Sequence, residues 1–212
     1  MAEPLDVRMS VIRRIEPDDT VMAFCGNVQE AVRGLVWAED VRDPLHPNLQ
    51  QRLAFNLLGG RVGQAFLMQQ SFSRLAMLKQ IQKDVPSLGQ PKEVTVTGLG
   101  RFTEGKDSYF ELIPADDYLS TERLAVVYSM QLKEDGTPRF DFGPTLAKKL
   151  GATVAYRHKA DRQQLEEIEA AITRCIPDQG LPLTCHTAIA PLGMLEGEVQ
   201  EFRFQDTSDP AS

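Results

Sequence analysis

The hydrophobic rhythm of the chain changes several times. Leu5-Asp-Val7-Arg-Met9-Ser-Val11 alternates apolar and polar positions, the period of a half-buried strand. Glu16-Pro17-Asp18-Asp19-Thr20 then interrupts it with a proline and acids that suit the first turn of a helix. Val21, Phe24, Cys25, Val28, Ala31, Val32, Leu35 and Val36 follow at helical spacing and predict a helix from about Asp18 to Glu39. Pro44 and Pro47 mark a connector. Beyond it Leu49, Leu53, Phe55, Leu57 and Leu58, then Val62, Phe66, Leu67, Phe72, Leu75, Leu78 and Ile81, predict two helices joined at Gly59-Gly60, or one kinked helix.

Pro86-Ser87-Leu88-Gly89-Gln90-Pro91 is the clearest boundary, because strand-like patterns follow it. Val94 and Val96 alternate with Leu99 and Phe102 as a looser continuation, Tyr109 to Ile113 forms a short strand, and Leu124 to Leu132 reads as another. Asp135-Gly136 ahead of Phe140 and Phe142 is a hairpin signal. A short helix over 144–150 ends at Gly151, and Ala152 to Tyr156 reads as a strand. Asp161 and Gln164 form a capping box ahead of Leu165, Ile168, Ile172, Cys175 and Ile176, which share one helical face. Leu183 to Ile189 and Val199 to Phe204 are extended.

Strands joined mostly by turns predict an α+β fold. It has an N-terminal strand and a helical hairpin or arm, then a mainly antiparallel sheet with one long helix in the C-terminal half. Residues 1–206 read as a single domain, mainly helical over 1–86 and sheet-rich over 92–206, with a flexible tail at 207–212.

Composition adds bounds. In 212 residues, 23 Lys and Arg stand against 30 Asp and Glu, a net charge of −7, which argues against a protein that coats nucleic acid or anchors on a membrane by polybasic charge. No apolar run reaches membrane-span length, and the start lacks the pattern of a secretory signal, so the expectation is a soluble, cytoplasmic protein. Cys25, Cys175 and Cys185 read as reduced thiols, and the scattered His46, His158 and His186 give no metal-ligand spacing. No metal and no cofactor are expected.

Charge is unevenly placed. Pro44 to Lys83 holds Arg52, Arg61, Arg74, Lys79 and Lys83 and no acid, leaving −12 on the rest of the chain. Such an arm can dock on an acidic partner or pack against the protein's own acidic sheet. Met68 and Met77 add adaptable packing.

The candidate catalytic groups are His158, His186, Cys185, Asp116 and Asp117. Cys185 and His186 are adjacent, so in a strand they face opposite ways and cannot form a dyad. Asp116 and Asp117 lie in a loop beside Tyr118. His158-Lys159-Ala160 and His186-Thr187-Ala188 miss the paired His-x-Thr/Ser pattern of phosphoesterases that use two histidines. Gly98-Leu99-Gly100 lacks the third glycine and following helix of a phosphate-binding turn, and a bend or bulge in a strand is the simpler reading.

The leading expectation from sequence is therefore a non-catalytic adaptor, accessory or assembly factor. It binds another protein, or a second copy of itself, through Arg52, Arg61, Arg74, Lys79 and Lys83. The alternative is an enzyme acting on a small molecule in a pocket between sheet and helices, with His, Asp or Cys as acid-base groups. Contact of the basic arm with nucleic acid is a weaker third reading.

Overall fold

The computed structural model describes residues 9–33, 35, 49, 53–58, 81, 83–131, 150–191 and 202–203. Its strands are β1 (Met9–Ile15), β2 (Ala54–Leu58), β3 (Lys92–Glu104), β4 (Asp107–Pro114), β5 (Ala152–His158), β6 (Leu181–Pro191) and β7 (Phe202–Arg203). Its α-helices are α1 (Asp19–Arg33), α2 (Tyr118–Gln131) and α3 (Arg162–Thr173), and a 3-10 turn covers Pro86–Gly89.

All described strand pairs are antiparallel, in the order β1-β2-β5-β4-β3-β6-β7. A further pairing of β1 with β6 closes six of the strands into a barrel. Cys185 is the joint: it pairs with Lys92 of β3 on one edge and Ile15 of β1 on the other. The link between β2 and β5 is the single pair Phe55 with Ala152.

A helix is about 10 to 12 Å wide with its side chains, whereas even eight strands enclose room only for side chains. The helices therefore lie outside the ring, α2 against β2, α3 against β3 and α1 against β6 and α3. The outer strand face carries the main core. Val11, Ile15, Phe55, Val94, Val96, Phe110, Leu112, Leu183 and Cys185 are buried there with Val21, Phe24 and Val28 of α1 and Ile168 and Ile172 of α3. The inner face differs. Ile12 and Ala188 form a separate small cluster with Ala54, while Asn56, Gly98, Gly100, Glu111, Ile113 and His186 are only half-buried.

The α+β expectation holds at the level of mixed helices and an antiparallel sheet; the described residues carry three α-helices, two of them in the second half where one long helix was expected. Two element readings are corrected. Leu53, Phe55 and Leu57, expected on a helix, are fully buried around half-buried Ala54 and Asn56, the period of a strand. A helical bond from Leu53 N–H to Leu49 O ends just where β2 begins, so that one apolar run serves two periods. Leu124 to Leu132, expected as a strand, falls largely in α2. A strand would bury Leu124, Val126 and Tyr128 together, but Val126 is buried while Leu124 and Tyr128 are 38% and 60% exposed, one helical turn apart.

Elsewhere the local signals agree with the structure. The Asp161 and Gln164 capping box is formed at α3. Gly98 and Gly100 lie inside β3, whose register shifts between Val96 and Gly98. Gly105, at φ +64°, supplies the tight β3–β4 turn with the left-handed backbone it needs. The first strand runs on to Ile15, four residues past the end of its alternation, and every residue from Val11 to Ile15 is buried. The Gly59-Gly60 junction, the Asp135-Gly136 hairpin, residues 144–149 of the expected short helix and the tail at 207–212 lie outside the described residues.

Candidate functional site

Two positively charged residues occupy the middle of β1 and face opposite ways. Arg13, fully buried, turns to the outer core, where its guanidinium binds the Glu122 carboxylate and the carbonyls of Gln90 and Ser87. Arg14 belongs to the inner face. Its cross-strand partners are Ala54 on β2 and His186 on β6.

Glu16 completes this inner group. Its N–H donates to Thr184 O at 2.8 Å, which extends the β1–β6 ladder by one step and sets its carboxylate diagonally from the imidazole. His186 Nδ1 lies 2.5 Å from Glu16 Oε1, with side-chain exposures of 12% and 35%. A carboxylate beside an imidazole can orient the ring and favour a proton on the nitrogen that faces it. Both ring nitrogens lie beneath the solvent-accessible surface. Across β1, the position equivalent to His186 is Ala54, so one imidazole rather than two is aligned on this row of the inner face. Arginine, oriented imidazole and carboxylate together can neutralise an anion and move a proton.

His158 occupies a second place. It ends β5, six positions beyond Ala152, the residue that meets β2, which puts it about 20 Å along the strand from that junction. Its Nδ1 lies 2.5 Å from Asp107 Oδ1, which also accepts the Tyr156 hydroxyl at 3.0 Å. β5 and β6 are three steps apart either way round the ring, so His158 and His186 belong to separate groups.

The other sequence candidates are placed as follows. Cys185 is fully buried on the outer face, and burial pushes its thiol up to about 12. That keeps it protonated and removes it as a nucleophile near neutral pH. Asp116 and Asp117 are exposed at the start of α2, where Asp116 Oδ1 accepts the Tyr118 N–H and the Asp117 carbonyl accepts from Thr121. They stand at the opening turn of α2. Lys83 is exposed, and Arg52, Arg61, Arg74 and Lys79 lie outside the described residues. Among the described residues no group of three or more His, Cys, Asp or Glu could hold a metal ion.

Arg14 and Glu16 are members of this candidate site that the pattern of the chain does not mark. Arg14 stands in a run with the character of a strand end, and Glu16 belongs to an acidic turn suited to starting a helix. Only the β1–β6 register brings both to His186, and no spacing in the sequence carries that signal.

No protein-family model and no curated protein matches the chain. The fold is shared with solved structures. The structure of Kluyveromyces marxianus Usb1 superposes with a TM-score of 0.52 at 13% identity, over 94% of this chain and 100% of that one. Usb1 from the same yeast with uridine monophosphate gives a TM-score of 0.53 at 13% identity over the same shares. This likeness overturns the adaptor and accessory-protein reading. The chain is built on the fold of a protein solved with a nucleotide, and the protein-docking argument rested on an arm of which only Lys83 among its five bases is described. Neither a protein partner nor a homodimer finds support. No described helix is long and apolar enough to cross a membrane.

Proposed function

We propose that the protein is an enzyme acting on the phosphoester of a nucleotide at the inner face of the barrel. In this reading His186 exchanges the proton, Glu16 holds its ring, and Arg14 balances the phosphate charge. The observation that carries it is the Arg14, Glu16 and His186 group, brought together on the inner face by the β1–β6 register. The fold shared with a protein solved with uridine monophosphate supports a nucleotide as the ligand class.

The experiment is turnover of short uridylate oligonucleotides by the full chain, with uridine monophosphate binding measured in parallel. His186→Ala is expected to lower turnover roughly 10²- to 10⁴-fold with little change in affinity, the range for loss of a general acid or base. Arg14→Met is expected to weaken uridine monophosphate binding but not uridine binding. Full turnover by His186→Ala would sink the proposal.

A further inference from the structure

The far end of the β3–β4 hairpin carries a feature that the His186 group does not use. Phe102 on β3, Tyr109 on β4 and Tyr156 on β5 are successive cross-strand partners, Phe102 with Tyr109 and Tyr109 with Tyr156. Their rings form a row, with centroids 6.2 Å apart at 30° and 5.3 Å apart at 46°. Phe102 is 36% exposed and the two tyrosines are half-buried, so the row reaches solvent.

Cations flank it. Lys106 in the hairpin turn and Lys159 after β5 are both exposed, and the Lys159 N–H donates to Lys106 O at 2.8 Å, which holds the two loops together. Lys159 keeps this bond with a left-handed backbone, φ 52°. Of the carboxylates on these strands, Asp107 is bound by Tyr156 Oη and His158 Nδ1, and Glu111 lies two positions along β4 from Tyr109. Three rings on adjacent strands with lysines at the margin suit unpaired bases, whose faces stack on aromatics while phosphates meet the cations.

We infer that this row binds the unpaired bases of a single-stranded RNA, about two or three nucleotides, so that the substrate is an oligonucleotide rather than a mononucleotide. The inference rests on the nucleotide reading above and extends it to a surface outside the His186 group.

Binding of labelled octauridylate and of uridine monophosphate to the full chain tests it. Octauridylate is expected to bind more tightly than uridine monophosphate. Phe102→Ala and Tyr109→Leu are each expected to weaken octauridylate binding roughly 5- to 150-fold, the effect of losing one stacked base, and to leave uridine monophosphate binding unchanged. Tyr156→Phe keeps the ring and is expected to bind octauridylate as the unaltered protein does. Lys106→Ala with Lys159→Gly, the latter suited to the left-handed backbone, is expected to flatten the salt dependence of octauridylate binding by about 1.4 in log-log slope. Phe102 is exposed, so its variant reads binding without disturbing the core. Octauridylate that binds no more tightly than uridine monophosphate, or equally to all the ring variants, overturns the inference. His186→Ala separates the two readings: retained turnover sinks the catalytic role, while the Phe102 and Tyr109 results still decide the fate of the row.

Discussion

Arg13 and Glu122 stand 109 positions apart in the chain and meet in the core as a bidentate pair, Nε to Oε2 at 2.8 Å and Nη2 to Oε1 at 2.5 Å. The pair ties β1 to α2, and the remaining guanidinium protons reach the Gln90 and Ser87 carbonyls around the turn Pro86–Gly89. Tyr118 Oη and Ser87 Oγ, each 3.4 Å from Glu122 Oε1, add longer contacts. Removing one member leaves the other charge buried without its partner, so Glu122→Ala is expected to cost about 3 to 5 kcal/mol. Arg13→Met with Glu122→Leu, which removes both charges, is expected to recover much of that loss. Urea unfolding of the three variants checks both expectations, and a Glu122→Ala cost below about 1 kcal/mol would contradict the buried pair as an anchor.

Just beyond the same strand, Glu16→Gln keeps the size of the side chain but removes the carboxylate charge beside His186. Turnover is expected to fall roughly 10- to 100-fold, as when a histidine loses its orienting carboxylate, while KM changes little. Glu16→Asp, which keeps a carboxylate, is expected to recover part of the rate and supplies a further readout. An unchanged rate in Glu16→Gln would mean that Glu16 does not orient the imidazole.

Burial raises the Cys25 thiol from 9.0 to about 11 and the Cys185 thiol from 9.0 to about 12. The folded state therefore favours the protonated thiols. Their contribution is intact below the unfolded value near 9 and is lost as pH rises through the folded values. Stability measured by urea midpoint is expected to fall more steeply above about pH 9 in the natural chain than in Cys25→Ala with Cys185→Ala. Equal slopes would refute the assignment. Iodoacetamide at neutral pH is expected to leave both thiols unmodified in the folded protein.

Asp161 Oδ1 accepts the Gln164 N–H at 2.8 Å, and Gln164 Oε1 accepts the Asp161 N–H at 3.3 Å. Asp161→Ala is expected to destabilise the fold by about 1 kcal/mol, and Asp161→Ser to lose only a few tenths, both read by thermal unfolding. Because α3 also carries the Arg101–Glu169 ion pair, 3.0 Å long and about one-third exposed, loosening its start is expected to leave that last-turn contact in place.

The helix α3 and the strands β3, β5 and β6 were legible in the chain because their signals are local: a capping box, alternation, and a glycine turn. The two misread segments, Leu53–Leu57 and Leu124–Leu132, are apolar runs whose short-range pattern fits either period, and tertiary partners chose between them. Phe55 became a strand residue by pairing with Arg13 and Ala152, and α2 became a helix with Glu122 held by Arg13 on its buried side. The site was legible only as isolated residue types. His186 could be named from sequence, but Arg14 and Glu16 join it through the register of strands some 170 positions apart, and Phe102, Tyr109 and Tyr156 become a row only when three strands lie side by side. Local chemistry determines which elements form where the periodicity is unambiguous. Closure of the barrel decides which face each residue occupies, because a shift of one residue in register turns every side chain of a strand to the other face.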